Sequence, residues 1–197
     1  MKRSLASGLA GLALLTATAA TALGAPSAWL DAPLASWNAP GSEPPTTGRL
    51  TPGQHAYCAT RGARAPETPE EDDLNQRGWT LYGPARSTWG TRVVLGASGE
   101  DGMCRPLGFH LFAYVDGRYA GTLSPTPMDS RADGVAGQIA IEPAQLGGSD
   151  VRLRVRFRRY APTDPLCCPS RPATVVDYYT DLQPEGPVLI PLEKWSE

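Results

Sequence analysis

The chain has 197 residues, among them 21 Gly and 20 Pro, with 41% apolar and 19% charged residues. That composition excludes a coiled coil, a collagen and a bundle of membrane helices, and the length suits one globular domain able to bury its own core. A formal charge of −2, from 18 basic and 20 acidic residues, supplies no global attraction to nucleic acid or to an anionic membrane, so no nucleic-acid partner is expected.

Met1-Lys2-Arg3 is a short basic start, and the uncharged Ala/Leu/Gly/Thr stretch from Leu5 to Leu23 follows it, which is the layout of a secretory signal peptide over residues 1–22. Its strongly apolar part, Leu9 to Leu15, is too short to cross roughly 30 Å of hydrocarbon. Ala20-Thr21-Ala22 offers the small residues a signal peptidase needs, and Leu23-Gly24-Ala25 is a second candidate that moves the cut to residue 25. No cysteine near this boundary can accept a lipid, so no stable membrane anchor is expected after cleavage, and the protein is expected to be secreted or periplasmic, in the cell envelope.

Residues 23–53 carry a proline every few positions and no sustained hydrophobic period, which reads as a flexible arm. Trp29, Leu30 and Trp37 are the exception: they either pack back on their own domain or form a short motif for a partner. Residues 54–197 then read as a single β-rich domain. Glu67 to Arg77 opens with Thr68-Pro69 and crowds acids into a first turn, the pattern of a short helix with a solvated start.

Beyond Trp79 the period becomes two. Thr91–Leu95 reads as a strand, and Phe109, Leu111, Ala113 and Val115 alternate with His110, Phe112 and Tyr114 before Asp116-Gly117, a strong hairpin signal. Further strands are expected at Val135–Ile141, Val151–Tyr160 and Ala173–Leu182, with Val188–Ile190 as a short closing one. The connections are too short for crossover helices, so neighbouring strands should be antiparallel. The expected fold class is mainly β, an antiparallel meander or sandwich with one short helix, stabilised by two disulfides.

Those disulfides would use Cys58, Cys104, Cys167 and Cys168, an even set in an exported chain. Of the three pairings, the one joining Cys167 to Cys168 is disfavoured. Neighbouring Cα atoms lie ~3.8 Å apart, below the ~4.4 to 6.8 Å of a relaxed bridge, and the flanking Pro165 and Pro169 favour extended geometry in which successive side chains diverge. Each of the two is expected to reach a different partner, tying the loop Asp164–Pro169 to the segments around Cys58 and Cys104. The rival use is a redox pair, or a zinc site completed by His110 or His55; no Cys-x-x-Cys or His-x-x-x-His spacing supports it, and no metal or cofactor is expected.

The most distinctive pattern is Arg152, Arg154, Arg156 and Arg158 alternating with Val151, Leu153, Val155 and Phe157, which puts four guanidinium groups on one face of a strand. With Tyr160 or Tyr179, such a row could read phosphate or another anionic ligand; alternatively the arginines pair with carboxylates such as Asp177 and Asp181 on the neighbouring strand. Nucleophile elbow, phosphate loop, Rossmann fingerprint and zinc-protease helix are all absent, so no catalytic residue is named, although Asp129, Asp133 or Glu142 could converge without a local motif.

Tyr160-Ala161-Pro162-Thr163-Asp164-Pro165-Leu166-Cys167-Cys168-Pro169-Ser170, set between the arginine strand and Ala173-Thr174-Val175-Val176-Asp177-Tyr178, resembles the C-terminal part of the LppP/LprE lipoprotein family. So does the run from Cys104 through Phe112-Ala113-Tyr114-Val115-Asp116-Gly117-Arg118-Tyr119-Ala120-Gly121-Thr122. The resemblance covers approximately Thr91 to Leu192. It implies an exported, envelope-associated domain and brings no catalytic residues; the lipid-acceptor cysteine of such proteins has no counterpart here. The leading expectation is a non-catalytic binding or structural module of the envelope, its partner an envelope component or an anionic ligand. The alternatives are a polyanion or small-ligand binder using the arginine face, and an envelope hydrolase.

Overall fold

A computed structural model of the chain describes residues 28–48, 56–144, 150–165 and 167–197. The expected signal peptide, both ends of the proline-rich stretch and His55 lie outside the described residues. The fold is mainly β, as expected from the alternation. Among the described residues nine strands build two antiparallel sheets, in each of which strand order follows chain order. Sheet one holds β1 (Ala63–Arg64), β2 (Thr80–Thr88), β3 (Thr91–Glu100), β4 (Pro106–Val115) and β5 (Arg118–Thr122). Sheet two holds β6 (Val135–Pro143), β7 (Val151–Arg159), β8 (Arg171–Gln183) and β9 (Gly186–Ser196).

Alternation decides which side of each strand is buried. Phe109, Leu111 and Ala113 of β4 face Leu153, Val155 and Phe157 of β7 across the main core, with Val176 and Tyr178 from β8. Each large side chain removed from water here contributes about 1.5–3 kcal/mol. The opposite face of sheet one is covered too: Val94, Phe112 and Tyr114 form a second cluster with Trp79, Leu81 and Leu74. Leu74 comes from α1, Pro69–Gln76, which begins as expected with Thr68 at the N-cap, Pro69 in the first turn and Glu70, Glu71 and Asp72 behind it. The β4–β5 hairpin turns on Asp116 (φ 47°) and Gly117 (φ 75°), both in the region that Asp-Gly tolerates best. β9 is far longer than the three residues expected, because Pro187 and Pro191 interrupt its pattern; proline is tolerated in this edge strand, and Pro191 sits at an irregularity opposite Tyr178.

The disulfide pairing corrects the expectation. Cys58 bonds Cys104, with Cα atoms 5.2 Å apart, and Cys167 bonds its neighbour Cys168. The reason is topological. Cys58 precedes β1 and Cys104 lies between β3 and β4, so both belong to sheet one and are buried, whereas Cys167 and Cys168 sit in the β7–β8 connection of sheet two. Nor is that connection extended: the Cys168 N–H closes a turn on the Pro165 carbonyl at 3.0 Å.

Residues 28–48, read as part of a flexible arm, form a strap packed along the domain. Trp29 and Leu30 enter the main core, and Trp29 meets Phe157 and Trp37 edge to face, each with ring centroids 5.6 Å apart. Asp31 accepts from Arg159 at 2.8 Å, and the ammonium of Lys194 donates to the carbonyls of Leu30 and Ala32. The tryptophans thus pack on their own domain, and prolines between the anchors leave few backbone donors unsatisfied.

Candidate functional site

The strap determines where a site can form. Asn38 donates to the carbonyls of Thr122 in β5 and Leu189 in β9, and accepts from the Thr122 N–H, all within 2.9–3.0 Å; Trp37 Nε1 also donates to the Thr122 carbonyl. Gly121, with φ 141°, is required there, since a Cβ would lie 2.2 Å from the Asn38 amide carbon. Further along, the strap crosses to the end of α1, where Thr47 N–H donates to the Arg77 carbonyl at 2.9 Å and Trp79 Nε1 to the Pro45 carbonyl at 2.6 Å. Between these attachments it stands off sheet one and roofs a cleft of about 480 Å³.

Trp79, His110 and Thr122 form the buried floor of this cleft, Trp37 and Tyr119 its walls, and Thr46 and Thr126 part of an exposed rim. His110 projects from β4 on the face opposite the main core and is 3% exposed. Its Nδ1 lies 2.9 Å from Ser124 Oγ, and its Nε2 makes no hydrogen bond to the described residues. Its ring meets Trp79 and Phe112 edge-on, at 5.4 and 5.6 Å between centroids. Burial lowers its pKa to about 4, so the imidazole is neutral at physiological pH. The same effect raises the Tyr119 phenol above its ordinary value. Glu43, the one charged group lining the cleft among the described residues, is paired with Arg77 at 3.1 Å. The cleft therefore offers aromatic faces, hydroxyls and a neutral ring nitrogen.

On sheet two the arginine row points outward, as the alternation requires. Arg152 and Arg154 both engage Asp177, with Arg154 Nε 2.7 Å from its Oδ1, and Arg152 also meets Glu193 at 2.9 Å. Arg156 meets Glu197 at 2.6 Å. Arg154 also stacks over Trp195, 5.3 Å from the ring centroid. Burial pushes the Asp177 carboxyl up, but the hydrogen bonds and charges of Arg154 and Arg152 outweigh it and hold the group below the usual carboxylate range. Arg158 has no carboxylate partner among the described residues. Tyr179 donates to Asp150 at 2.8 Å, and Tyr160 lies under the Arg131 guanidinium at 5.9 Å. The row is thus brought together, with three of its members matched by acids on β8, β9 and the C-terminus.

Asp129 and Asp133 serve a loop, Asp129 accepting the N–H groups of Arg131 and Ala132, while Glu142 stands at the far end of β6. Asp133 Oδ2 accepts the Asp129 N–H at 2.9 Å, so these two share one loop, and Glu142 stands apart from them. Among the described residues, no three His, Cys, Asp or Glu side chains are grouped as metal ligands. The sequence reading missed the cleft residues Trp79, Tyr119 and Asn38; the available signal was the aromatics of the hairpin strands together with Trp37 in a proline-rich stretch. It also missed Glu71, fully buried between Arg64 (2.6 Å) and Arg92 (2.7 Å), not solvated as its acidic neighbourhood suggested.

Two antiparallel sheets, a buried cross-link and a strap-roofed cleft define a disulfide-bonded β-sandwich domain. The LppP/LprE lipoprotein family model matches residues 82–181, from β2 into β8, and the chain belongs to that family. Membership makes it an envelope-associated domain, and no helix among the described residues is long and apolar enough to cross a membrane. No curated protein and no solved structure matches the chain.

Proposed function

We propose that the protein is an exported envelope domain that binds without catalysis, taking an uncharged, hydroxyl-bearing ligand of sugar size into the strap-roofed cleft. One observation carries this reading: a neutral, almost fully buried His110 lines the floor of a cleft of about 480 Å³ beside tryptophan and tyrosine rings, and one of its ring nitrogens has no partner among the described residues. Such a volume lies in the range of small-molecule sites, about 300–1,000 Å³. With Glu43 already paired, a charged ligand would enter without a counter-charge, whereas hydroxyls find both donors and acceptors. The arginine face fits an anionic ligand less well, because its guanidiniums would first have to leave their carboxylates. Residues 1–22 act as the export signal in this reading; N-terminal sequencing of the envelope and medium fractions should find a start at Leu23 or Pro26, and recovery of intact Met1 would contradict it.

The cleft is tested by titrating ¹⁵N-labelled protein with the neutral disaccharides cellobiose and maltose. Saturable shifts of the His110 imidazole and of the Trp37 and Trp79 indole signals are expected from at least one of them. Absence of any shift there overturns the reading. Heparin oligosaccharide moving β7 signals at physiological salt, with the effect lost in Arg154→Glu combined with Arg156→Glu, would move the site to the arginine face.

A further inference from the structure

The Cys167–Cys168 bridge takes no part in the cleft or in the packing of either sheet. Both residues are exposed, whereas Cys58 and Cys104 are 3% and 5% exposed. A cross-link stabilises a fold mainly by removing conformations from the unfolded chain, and its effect grows with the loop it closes. The sequence separation is 46 for Cys58–Cys104 and 1 for Cys167–Cys168, so the second bridge constrains little that the peptide bond does not constrain already. Other groups hold this corner. Asp164 Oδ2 accepts the N–H groups of Ala161 at 2.6 Å and Ser170 at 2.8 Å, its Oδ1 accepts the Ser170 hydroxyl at 2.7 Å, and Arg131 donates to its carbonyl at 2.9 Å. Both ends of the loop are therefore fixed without help from the sulfur atoms, which stand open to an attacking thiolate, as those of the buried bridge do not.

We propose that Cys167–Cys168 is a thiol–disulfide exchange site that takes a dithiol, small or protein-borne, as its reducing partner, while Cys58–Cys104 stays closed. A thiolate of the partner attacks one Sγ of the pair, forming a mixed disulfide and breaking the vicinal bond; the released cysteine sulfur takes up a proton. The partner's second thiol, deprotonated, then attacks its own sulfur in the mixed disulfide, which frees the other cysteine and closes the partner's disulfide. Two electrons and two protons pass from the dithiol to Cys167 and Cys168. The Asp164 clamp keeps the corner in place throughout, so the exchange proceeds without unfolding.

The test uses the purified full-length protein, folded and never reduced. It is exposed to graded dithiothreitol, quenched with N-ethylmaleimide and mapped by peptide mass spectrometry. Cys167 and Cys168 should be labelled together at a dithiothreitol concentration at least about tenfold below that needed for Cys58 and Cys104. Circular dichroism should be unchanged at that point. Labelling of all four at one concentration, or of Cys58 and Cys104 first, would overturn the proposal, as would labelling of Cys167 and Cys168 before any reductant is added. A Cys167→Ser, Cys168→Ser variant provides an independent check: it should melt with the parent protein and consume no dithiol under the mild condition. A variant that consumes dithiol as the parent does, or a clear loss of its melting temperature, would show that the vicinal pair is not the exchange site described.

Discussion

Each sheet buries one carboxylate between two arginines, and the two groups differ in what lies over them. In sheet one, Glu71 of α1 reaches Arg64 and Arg92, whose side chains are 17% and 21% exposed. In sheet two, Asp177 reaches Arg152 and Arg154, which are 41% and 48% exposed. Both carboxylates are themselves fully buried. The first group joins a helix to a sheet under cover; the second neutralises charge on a face open to water. A covered face can enclose a cleft, whereas an open face of the same chemistry mainly satisfies itself.

That contrast can be broken by measurement. Sheet one also carries the long-range cross-link, so replacing Cys58 and Cys104 together by Ser should have the largest effect, about 4 kcal/mol on the loop-entropy account, read by urea unfolding. Glu71→Ala should cost about 3 kcal/mol, because two largely covered guanidiniums lose their partner. Asp177→Ala should cost only about 1–2 kcal/mol, since Arg152 and Arg154 can turn to water. Equal losses from the two variants would refute the contrast.

Two groups on the sheet-one side of the comparison also make stability depend on pH. His110 has its pKa lowered to about 4, so the unfolded chain binds a proton that the folded chain refuses; its contribution is complete above the ordinary histidine value of 6.5 and fades as pH falls toward 4. Burial pushes Glu71 up, but the hydrogen bonds of Arg64 and Arg92 prevail and hold it at about 2, so its contribution is complete above 4.5 and fades as pH falls toward 2. Unfolding followed against pH should therefore lose stability in two stages, the upper one absent from His110→Gln. The smallest expected effect is that of Arg156→Ala, below about 0.5 kcal/mol, as for other exposed ion pairs.

Strands were largely legible in the sequence, because β7 alternates strictly and Asp116-Gly117 marks the turn after β4. The helix was legible from Thr68 and Pro69. What was hidden depended on partners distant in the chain. Lys194 and Arg159 reveal nothing locally about gripping residues 30–32, and no period links Trp37 to Thr122. The run Glu70-Glu71-Asp72-Asp73 looks uniformly solvated, yet one member points inward because Arg92 lies across from it. The pairing of Cys167 with Cys168 was misjudged because extended geometry was assumed where the chain turns. The arginine row was visible from its spacing, but its neutralisation needed the register that puts Arg154 opposite Asp177.

Asn38 has one more consequence. β5 and β9 are the outermost strands of their sheets, and they run side by side. An outermost strand with free amides and carbonyls invites another polypeptide to add itself, the usual start of aggregation. By occupying the N–H and carbonyl of Thr122 and the carbonyl of Leu189, a single amide side chain closes this entrance on both strands at once. The strap thus also covers part of the margin at which a further chain could add.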